Sequence, residues 1–312
     1  MKKVLLVAQP VPARLLAALS EHCTVLGPVE NWPEPGEDAR LADTQAVLIF
    51  GNMRFDAATM DRFPRLELIC CYASGYDGVD LEGAKVRGVA VAHSPAANAP
   101  AVADLALGLI IATVRRIVEA DRLLRSEGWA SARGRPVAGL TGRTVGIYGL
   151  GAVGREIADR ALSFGMSVAY HNRRRAADVP YPYFDSLRAL AASADILVIA
   201  ARADDANRRA VNAEILEALG PGGFLINIAR GSIVDEDALV AALHSGHIAG
   251  AGLDVFTDEP NIDARLLQCP NIVLTPHMGG YTREAGFAVQ ELILDNLRAL
   301  AAGQAPPYLV QT

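Results

Sequence analysis

Val145-Gly146-Ile147-Tyr148-Gly149-Leu150-Gly151-Ala152-Val153-Gly154 reads as a buried strand that runs into a glycine-rich turn and then opens a helix. The glycines fall in G-x-G-x-x-G order, and each has its own task. Gly149 permits the tight turn, Gly151 lets the backbone approach a pyrophosphate, and Gly154 lets the helix pack close to the strand. With Leu150, Ala152 and Val153 between them, these residues present the free N–H groups of a helix start to a negative charge. The stretch therefore predicts a dinucleotide-binding unit, with residues 149–154 as its phosphate cradle.

The next strand indicates which dinucleotide. Residues 167–170 (Ser-Val-Ala-Tyr) read as that strand, and the chain continues His171-Asn172-Arg173-Arg174-Arg175. A unit for NAD usually carries Asp or Glu here, about 20 residues beyond the glycines, to bond the ribose 2′-OH. This chain has three arginines instead. A carboxylate would repel a 2′-phosphate, whereas guanidinium groups bind it through paired, charge-assisted hydrogen bonds. The expected cofactor is NADP, with NADPH preferred over NADH, read by Asn172, Arg173 and Arg174.

Strand-like and helix-like stretches alternate along the chain. Residues 3–8, 46–50, 66–71 and 89–92 read as strands of a first series, with helical patterns over 13–20 and 57–63. The second series has strands at 144–148, 167–170, 196–200, 223–228, 249–253 and 272–274. Such alternation predicts α/β architecture with helices on both faces of parallel sheets. The first series lacks a phosphate turn: Gln9-Pro10-Val11-Pro12 follows its opening strand, and proline offers no N–H. The first half is therefore expected to bind substrate. A long helix over 98–125, with Asn98 as cap and Pro100 in its first turn, is predicted to join the halves. A last helix over 283–302 is expected to return to the first domain. The expected fold is two doubly wound parallel-sheet domains. A Rossmann cofactor domain (99–282) is inserted into a flavodoxin-like substrate domain (1–98 and 283–312).

Bulk properties agree with a globular chain of about two domains. The 312 residues are 51% hydrophobic and 21% charged, with a net charge of −6. That composition supports a large core and opposes disorder or a general nucleic-acid surface. The four cysteines, Cys23, Cys70, Cys71 and Cys269, match neither a disulfide framework nor a zinc site. Cys70 and Cys71 read as small core hydrophobes, so no metal is expected and a reducing, cytoplasmic setting is. The apolar run in residues 1–8 is short and reads as a core strand rather than a secretory signal. The stretch 105–114 is too short to span a bilayer.

Three polar residues follow strand ends in the second series: Arg230 in Asn227-Ile228-Ala229-Arg230-Gly231, Glu259 before Pro260, and His277 in Thr275-Pro276-His277. Ligands of open parallel sheets bind beyond the carboxyl ends of the strands. A guanidinium can fork onto a carboxylate and polarise a neighbouring carbonyl. An imidazole can exchange a proton near neutral pH, and an adjacent carboxylate orients it. Hydride transfer to a 2-keto acid needs these three roles, so Arg230, Glu259 and His277 are the expected catalytic set.

On these motifs, together with Gly252-Leu253-Asp254-Val255-Phe256, the chain resembles the D-isomer-specific 2-hydroxyacid dehydrogenase family over nearly its whole length. Within it, the chain is most similar to the NADPH-preferring glyoxylate/hydroxypyruvate reductases and their hydroxyphenylpyruvate reductase relatives. The resemblance implies His277 as acid/base, Glu259 as its partner and Arg230 as substrate clamp. It places Asp254 at the nicotinamide side of the cofactor, and Val102 on the long helix is counted with the cofactor-binding residues. It implies a D-hydroxy acid product and a homodimer built through the long helix and the arm near Trp129. Tyr72-Ala73-Ser74-Gly75-Tyr76-Asp77-Gly78-Val79-Asp80 matches the family's loop whose backbone N–H groups hold the substrate carboxylate, which assigns that role to Ser74 and Gly75. The chain departs from the family pattern at Ala73, at Ala99, and at Ala200-Ala201-Arg202-Ala203-Asp204, where Arg202 reads either as touching the adenosine side of the cofactor or as solvated, the second reading ranking higher.

The expected activity is NADPH-dependent reduction of glyoxylate and hydroxypyruvate, with the small keto acid lying between the domains and no nucleic-acid or membrane partner. A second reading keeps the chemistry but takes larger aromatic or branched keto acids, in a pocket lined by Phe50, Asn52, Met53, Tyr76 and Trp129 of a second copy. Asn52 counts among the substrate-binding residues on either reading. A third reading, from another class, is a dinucleotide-sensing regulatory protein.

Overall fold

The computed structural model describes residues 2–29, 32, 41–133 and 136–310. The chain divides into two compact units, Met1–Asn98 with Arg283–Thr312, and Ala99–Thr282. In chain order the first unit opens with β1 (Lys3–Val7), α1 (Ala13–His22), β2 (Cys23–Leu26), β3 (Thr44–Ile49), α2 (Ala57–Met60), β4 (Leu68–Cys71), α3 (Leu81–Val86) and β5 (Ala90–Ala92). The second unit begins with α4 (Ala99–Val114), α5 (Ile117–Glu127) and α6 (Trp129–Ala132). It continues with β6 (Thr144–Tyr148), α7 (Ala152–Ser163), β7 (Ser167–His171), β8 (Tyr183–Phe184), α8 (Leu187–Ser193) and β9 (Ile196–Ile199). Then follow α9 (Ala213–Leu219), β10 (Phe224–Asn227), α10 (Glu236–Ser245), β11 (Gly250–Leu253), α11 (Ala264–Leu267) and β12 (Ile272–Leu274). Helix α12 (Arg283–Ala301) completes the first unit.

Both sheets are parallel throughout. The first runs β2-β1-β3-β4-β5, which is the flavodoxin-like order. The second runs β12-β11-β10-β9-β6-β7-β8. Counted from the glycine-rich turn, that is the Rossmann order with one further edge strand. Strand alternation explains why helices cover both faces. In β9, Ile196 and Val198 join α4 and α7 in one core, while Leu197 and Ile199 join α8, α9 and α10 in the other. In the first unit, Leu6, Val47, Ile69 and Cys71 face Phe55, Met60 and Phe63. Leu5, Leu48, Leu68 and Cys70 face α1 and α12. The adjacent Cys70 and Cys71 thus fill opposite cores as free thiols, and burial pushes the Cys71 thiol up to about 12.

Three elements differ from the sequence expectations. Strand β2 follows α1 without a breaker, so its four residues merge with the helical pattern before them. Strand β8 has only two residues, too few to show a period. The helix expected over 98–125 is two helices. The Arg116 N–H turns back to the Thr113 carbonyl, and Arg116 itself is left-handed at φ 49. The break carries no Gly or Pro to announce it. Its effect on packing is large: α4 buries nine residues, whereas α5 buries none within the chain.

Candidate active site

The second unit gathers its polar groups at the carboxyl ends of β10, β11 and β12. Arg230 lies three residues past β10 and is half-buried. Its backbone carbonyl accepts from the Asn227 side chain at 3.0 Å, and Asn227 Oδ1 accepts the Ala229 N–H at 3.1 Å. One buried amide therefore shapes the turn that presents the guanidinium. At Gly231 a Cβ would stand 1.9 Å from the Phe256 carbonyl carbon. Only glycine allows this turn to touch the loop after β11 so closely.

That second loop carries Glu259. One of its oxygens accepts the Phe256 N–H at 2.9 Å, and the other lies 2.7 Å from His277 Nδ1. Burial raises the Glu259 carboxyl. The hydrogen bonds from His277 and Phe256 and the charges of His277 and Arg230 together outweigh it and hold the group below its ordinary value. Glu259 is thus an ionised partner for the ring. With Nδ1 engaged by the carboxylate, His277 keeps Nε2 for other chemistry.

His277 has a left-handed backbone at φ 51, a conformation that is uncommon outside glycine and costs energy. Asp254 holds it there. The Asp254 carbonyl accepts the His277 N–H at 2.8 Å. The Asp254 carboxylate accepts from the Thr275 hydroxyl, from the Met278 N–H at 2.9 Å and from the Gly279 N–H at 2.9 Å. Asp254 is 1% exposed, so what the structure documents for it is the fixing of the His277 loop. Val102 on α4 packs behind that loop, 3.6 Å from the position a Cβ on Gly279 would take.

The glycine-rich turn lies between β6 and α7. Gly149 has φ 104, and a Cβ there would stand 2.3 Å from the Ala201 nitrogen. A Cβ on Gly154 would meet the Gly149 carbonyl oxygen at 2.3 Å, while one on Gly151 would meet nothing within 4 Å. Two glycines therefore serve close packing, and the third leaves an open approach. The Leu150 N–H is taken by Asn172 Oδ1 at 2.7 Å. Among the described residues the N–H groups of Gly151, Ala152 and Val153 have no acceptor. They form a cradle fitted to a pyrophosphate at the start of a 12-residue helix. Asn172, expected to read the ribose phosphate, shapes the turn in this structure. Arg173 reaches Asp204 at 3.0 Å, whereas Arg174 makes no ion pair among the described residues.

In the first unit, Ser74 and Gly75 follow β4. The Ser74 hydroxyl lies 2.8 Å from the Ser94 carbonyl oxygen and 2.9 Å from Asn98 Oδ1, so it faces its own scaffold. The backbone N–H groups of Ser74 and Gly75 have no acceptor among the described residues. A Cβ on Gly51 would stand 1.7 Å from the Gly75 carbonyl oxygen, so the turn after β3 packs directly on this loop. Asn52, in that turn, is exposed. Phe50 is 40% exposed, and its ring meets Tyr72 edge-on at 5.4 Å.

Sequence reasoning did not single out Asn227, Thr275, Asp204 or His93 as site residues. Thr275, Asp204 and His93 act through contacts between segments far apart in sequence, which no spacing rule reveals, whereas Asn227 acts within its own turn, two and three residues on. Among the described residues no cluster of ligating side chains could hold a metal ion, and no helix is long and apolar enough to cross a membrane.

Comparison with known proteins identifies the family. Residues 107–279 match the family model described as D-isomer specific 2-hydroxyacid dehydrogenase, NAD binding domain. The chain is 38% identical to the glyoxylate reductase of Thermococcus onnurineus, over 99% of this chain and 96% of that protein. It is also 38% identical to the hydroxyphenylpyruvate reductase of Plectranthus scutellarioides, over 88% of each. The crystal structure of an NADPH-dependent glyoxylate/hydroxypyruvate reductase from Sinorhizobium meliloti, in complex with NADP and malonate, superposes with a TM-score of 0.92 at 37% identity, covering 99% of this chain and 97% of that one. The parallel sheets, the glycine-rich turn after β6 and these matches together show that the chain belongs to the D-isomer-specific 2-hydroxyacid dehydrogenase family, as a nicotinamide-dependent oxidoreductase.

Proposed function

We propose that the protein reduces glyoxylate and hydroxypyruvate to their 2-hydroxy acids, D where the carbon is chiral, with NADPH preferred over NADH. The observation that carries this reading is the His277–Glu259 pair at 2.7 Å, close enough to Arg230 for the guanidinium charge to act on Glu259. A bound dihydronicotinamide supplies the hydride to the carbonyl carbon. Protonated His277 gives the proton from Nε2 to the carbonyl oxygen, so that the carbonyl gains one hydride and one proton. Glu259 orients the ring through Nδ1 and leaves Nε2 to face the substrate. Arg230 is assigned to the substrate carboxylate and to polarising the adjacent carbonyl, and the Ser74 and Gly75 amides of the first unit are assigned to carboxylate binding. Asn52 is assigned to the substrate as well.

On the cofactor side, residues 149–154 hold the pyrophosphate, and Asn172, Arg173 and Arg174 read the 2′-phosphate. The absence of a carboxylate at the end of β7 supports NADPH, as does the NADP bound by the Sinorhizobium relative. Asp254 and Val102 support the nicotinamide end through the His277 loop. The exposed Phe50 ring favours a second reading, in which larger aromatic keto acids are also accepted.

The test is the loss of nicotinamide absorbance with glyoxylate, hydroxypyruvate and 4-hydroxyphenylpyruvate, each with NADPH and with NADH. Rapid NADPH oxidation with the two small acids and slow NADH oxidation is the expected result. Equal rates with both cofactors would remove the phosphate argument and leave the reductase. Turnover of the aromatic acid alone would select the second reading. Dinucleotide binding without turnover of any of the three would point to a sensor.

A further inference from the structure

The segment after β5 clamps the loop after β4 in a particular way. The Ser94 N–H donates to the Ala73 carbonyl at 2.9 Å. His93 Nδ1 lies 2.9 Å from the Ser74 carbonyl oxygen. A carbonyl only accepts, so Nδ1 carries the proton in this contact, in the neutral ring as in the charged one. In a trans peptide the C=O and the following N–H lie in one plane and point in opposite directions. Fixing the Ala73 carbonyl therefore aims the Ser74 N–H, and fixing the Ser74 carbonyl aims the Gly75 N–H. These are the two N–H groups left without a protein acceptor among the described residues. The Gly75 peptide needs such a hold, because glycine permits backbone rotations that other residues resist.

His93 is itself held on three sides. Its ring meets Tyr76 edge-on at 5.1 Å. Its N–H donates to the Tyr308 carbonyl at 3.0 Å, and its carbonyl accepts from the Asn296 side chain at 3.4 Å. Asn296 is fully buried and also accepts the Tyr308 N–H at 3.1 Å. The imidazole is thus a braced donor whose target is the peptide between Ser74 and Gly75.

We infer that His93 is a positioning residue for keto-acid binding, which aims the Gly75 N–H at the substrate carboxylate by holding the Ser74 carbonyl. The inference rests on the reading of this chain as a keto-acid reductase whose Ser74 and Gly75 amides receive that carboxylate. His93 touches neither substrate nor cofactor in this role. Its loss lets the peptide rotate and weakens carboxylate binding, while the proton transfer at His277 continues.

The experiment compares His93→Phe with His93→Asn in the full chain. Phenylalanine keeps a ring against Tyr76 and removes the donor. Asparagine can offer Nδ2 where the imidazole offers Nδ1. With saturating NADPH, His93→Phe is expected to raise KM for glyoxylate and hydroxypyruvate about five- to tenfold, the worth of one aligned hydrogen bond. The kcat should stay within about twofold and KM for NADPH should hold, because uniform substrate binding is what is lost. His93→Asn should recover most of the KM. Independently of turnover, oxalate is titrated while the Ser74 and Gly75 amides are followed in a nitrogen–proton correlation spectrum. Oxalate should shift both resonances in the unsubstituted protein, and its Kd should rise by the same factor in His93→Phe.

Unchanged KM and oxalate Kd in His93→Phe would overturn the inference. So would an equal loss in both variants with NADPH affinity lost too, which would mark a general structural role. Ser74 and Gly75 amides that ignore oxalate in the unsubstituted protein would overturn it as well. If the protein reduces no keto acid but oxalate moves the Gly75 amide in a His93-dependent way, the functional reading fails and the positioning role stands.

Discussion

At the scale of single residues, the site works by keeping charges where they are useful. Glu259 is ionised because two hydrogen bonds and two positive neighbours outweigh its burial. A carboxyl whose folded-state value is lowered contributes above its unfolded value and loses that contribution as pH falls through the lowered one. The acid limb of kcat/KM due to Glu259 is therefore expected below the ordinary carboxylate value of about 4.3. A limb from this group near pH 6 would contradict the pairing, and Glu259→Gln identifies which limb is its own. His277→Ala should lower kcat by about a hundredfold or more, the usual worth of a placed acid, and leave NADPH affinity nearly unchanged by fluorescence titration. Asp254→Asn is a sharper test of loop control. The amide has one oxygen for the donors of Thr275, Met278 and Gly279, and it turns an N–H toward one of them. The buried mismatch should cost about 1–3 kcal/mol in chemical denaturation and should lower kcat through a displaced His277. Full activity in a destabilised Asp254→Asn protein would separate Asp254 from the His277 geometry.

At the scale of elements, the glycine-rich turn shows how much the sequence reveals and where it falls silent. Strand β6, the turn and α7 were legible because three glycines, a buried apolar run and a helix start occur in fixed order. Gly149 confirms the reason at the level of sterics, with φ 104 and no room for a Cβ. Gly149→Ala should therefore abolish measurable NADPH binding by calorimetry while the first unit's sheet stays intact; normal binding would remove the turn from the cofactor site. The Arg230, Glu259 and His277 positions were legible as polar residues after strand ends. Their mutual geometry was not, since it depends on Gly231 touching Phe256 and on Asp254 bracing the His277 backbone. The Arg173–Asp204 pair was hidden for the same reason: the two residues meet from the ends of β7 and β9. Strand β2 escaped because it follows α1 with no breaker between them, and β8 because it is two residues long. The break between α4 and α5 escaped because arginine, not glycine, takes the left-handed position.

At the scale of the whole molecule, the break before α5 bears on assembly. Helix α5 buries none of its residues within the chain. Ile117 is 49% exposed, Val118 53%, Leu124 47% and Trp129 70%. Ile111, Ile117, Leu124 and Trp129 line one depression of about 550 Å³ with Arg115 and Arg133 at its side. Contiguous apolar surface of this kind marks an association site in a soluble protein, and a second copy of the same chain is the partner proposed for it. A two-fold interface brings the same patch from each copy together, so charges placed in it would face each other across the axis. Leu124→Glu combined with Trp129→Glu is thus expected to leave the exposed helix folded, because surface substitutions cost little, and to split the assembly. Sedimentation at micromolar concentration should give twice 33.0 kDa for the unsubstituted protein and 33.0 kDa for the double variant. A single-chain mass for the unsubstituted protein would exclude the dimer. A dimer that survives both charges would move its interface away from α5 and α6, and the apolar face of α5 would then need another occupant.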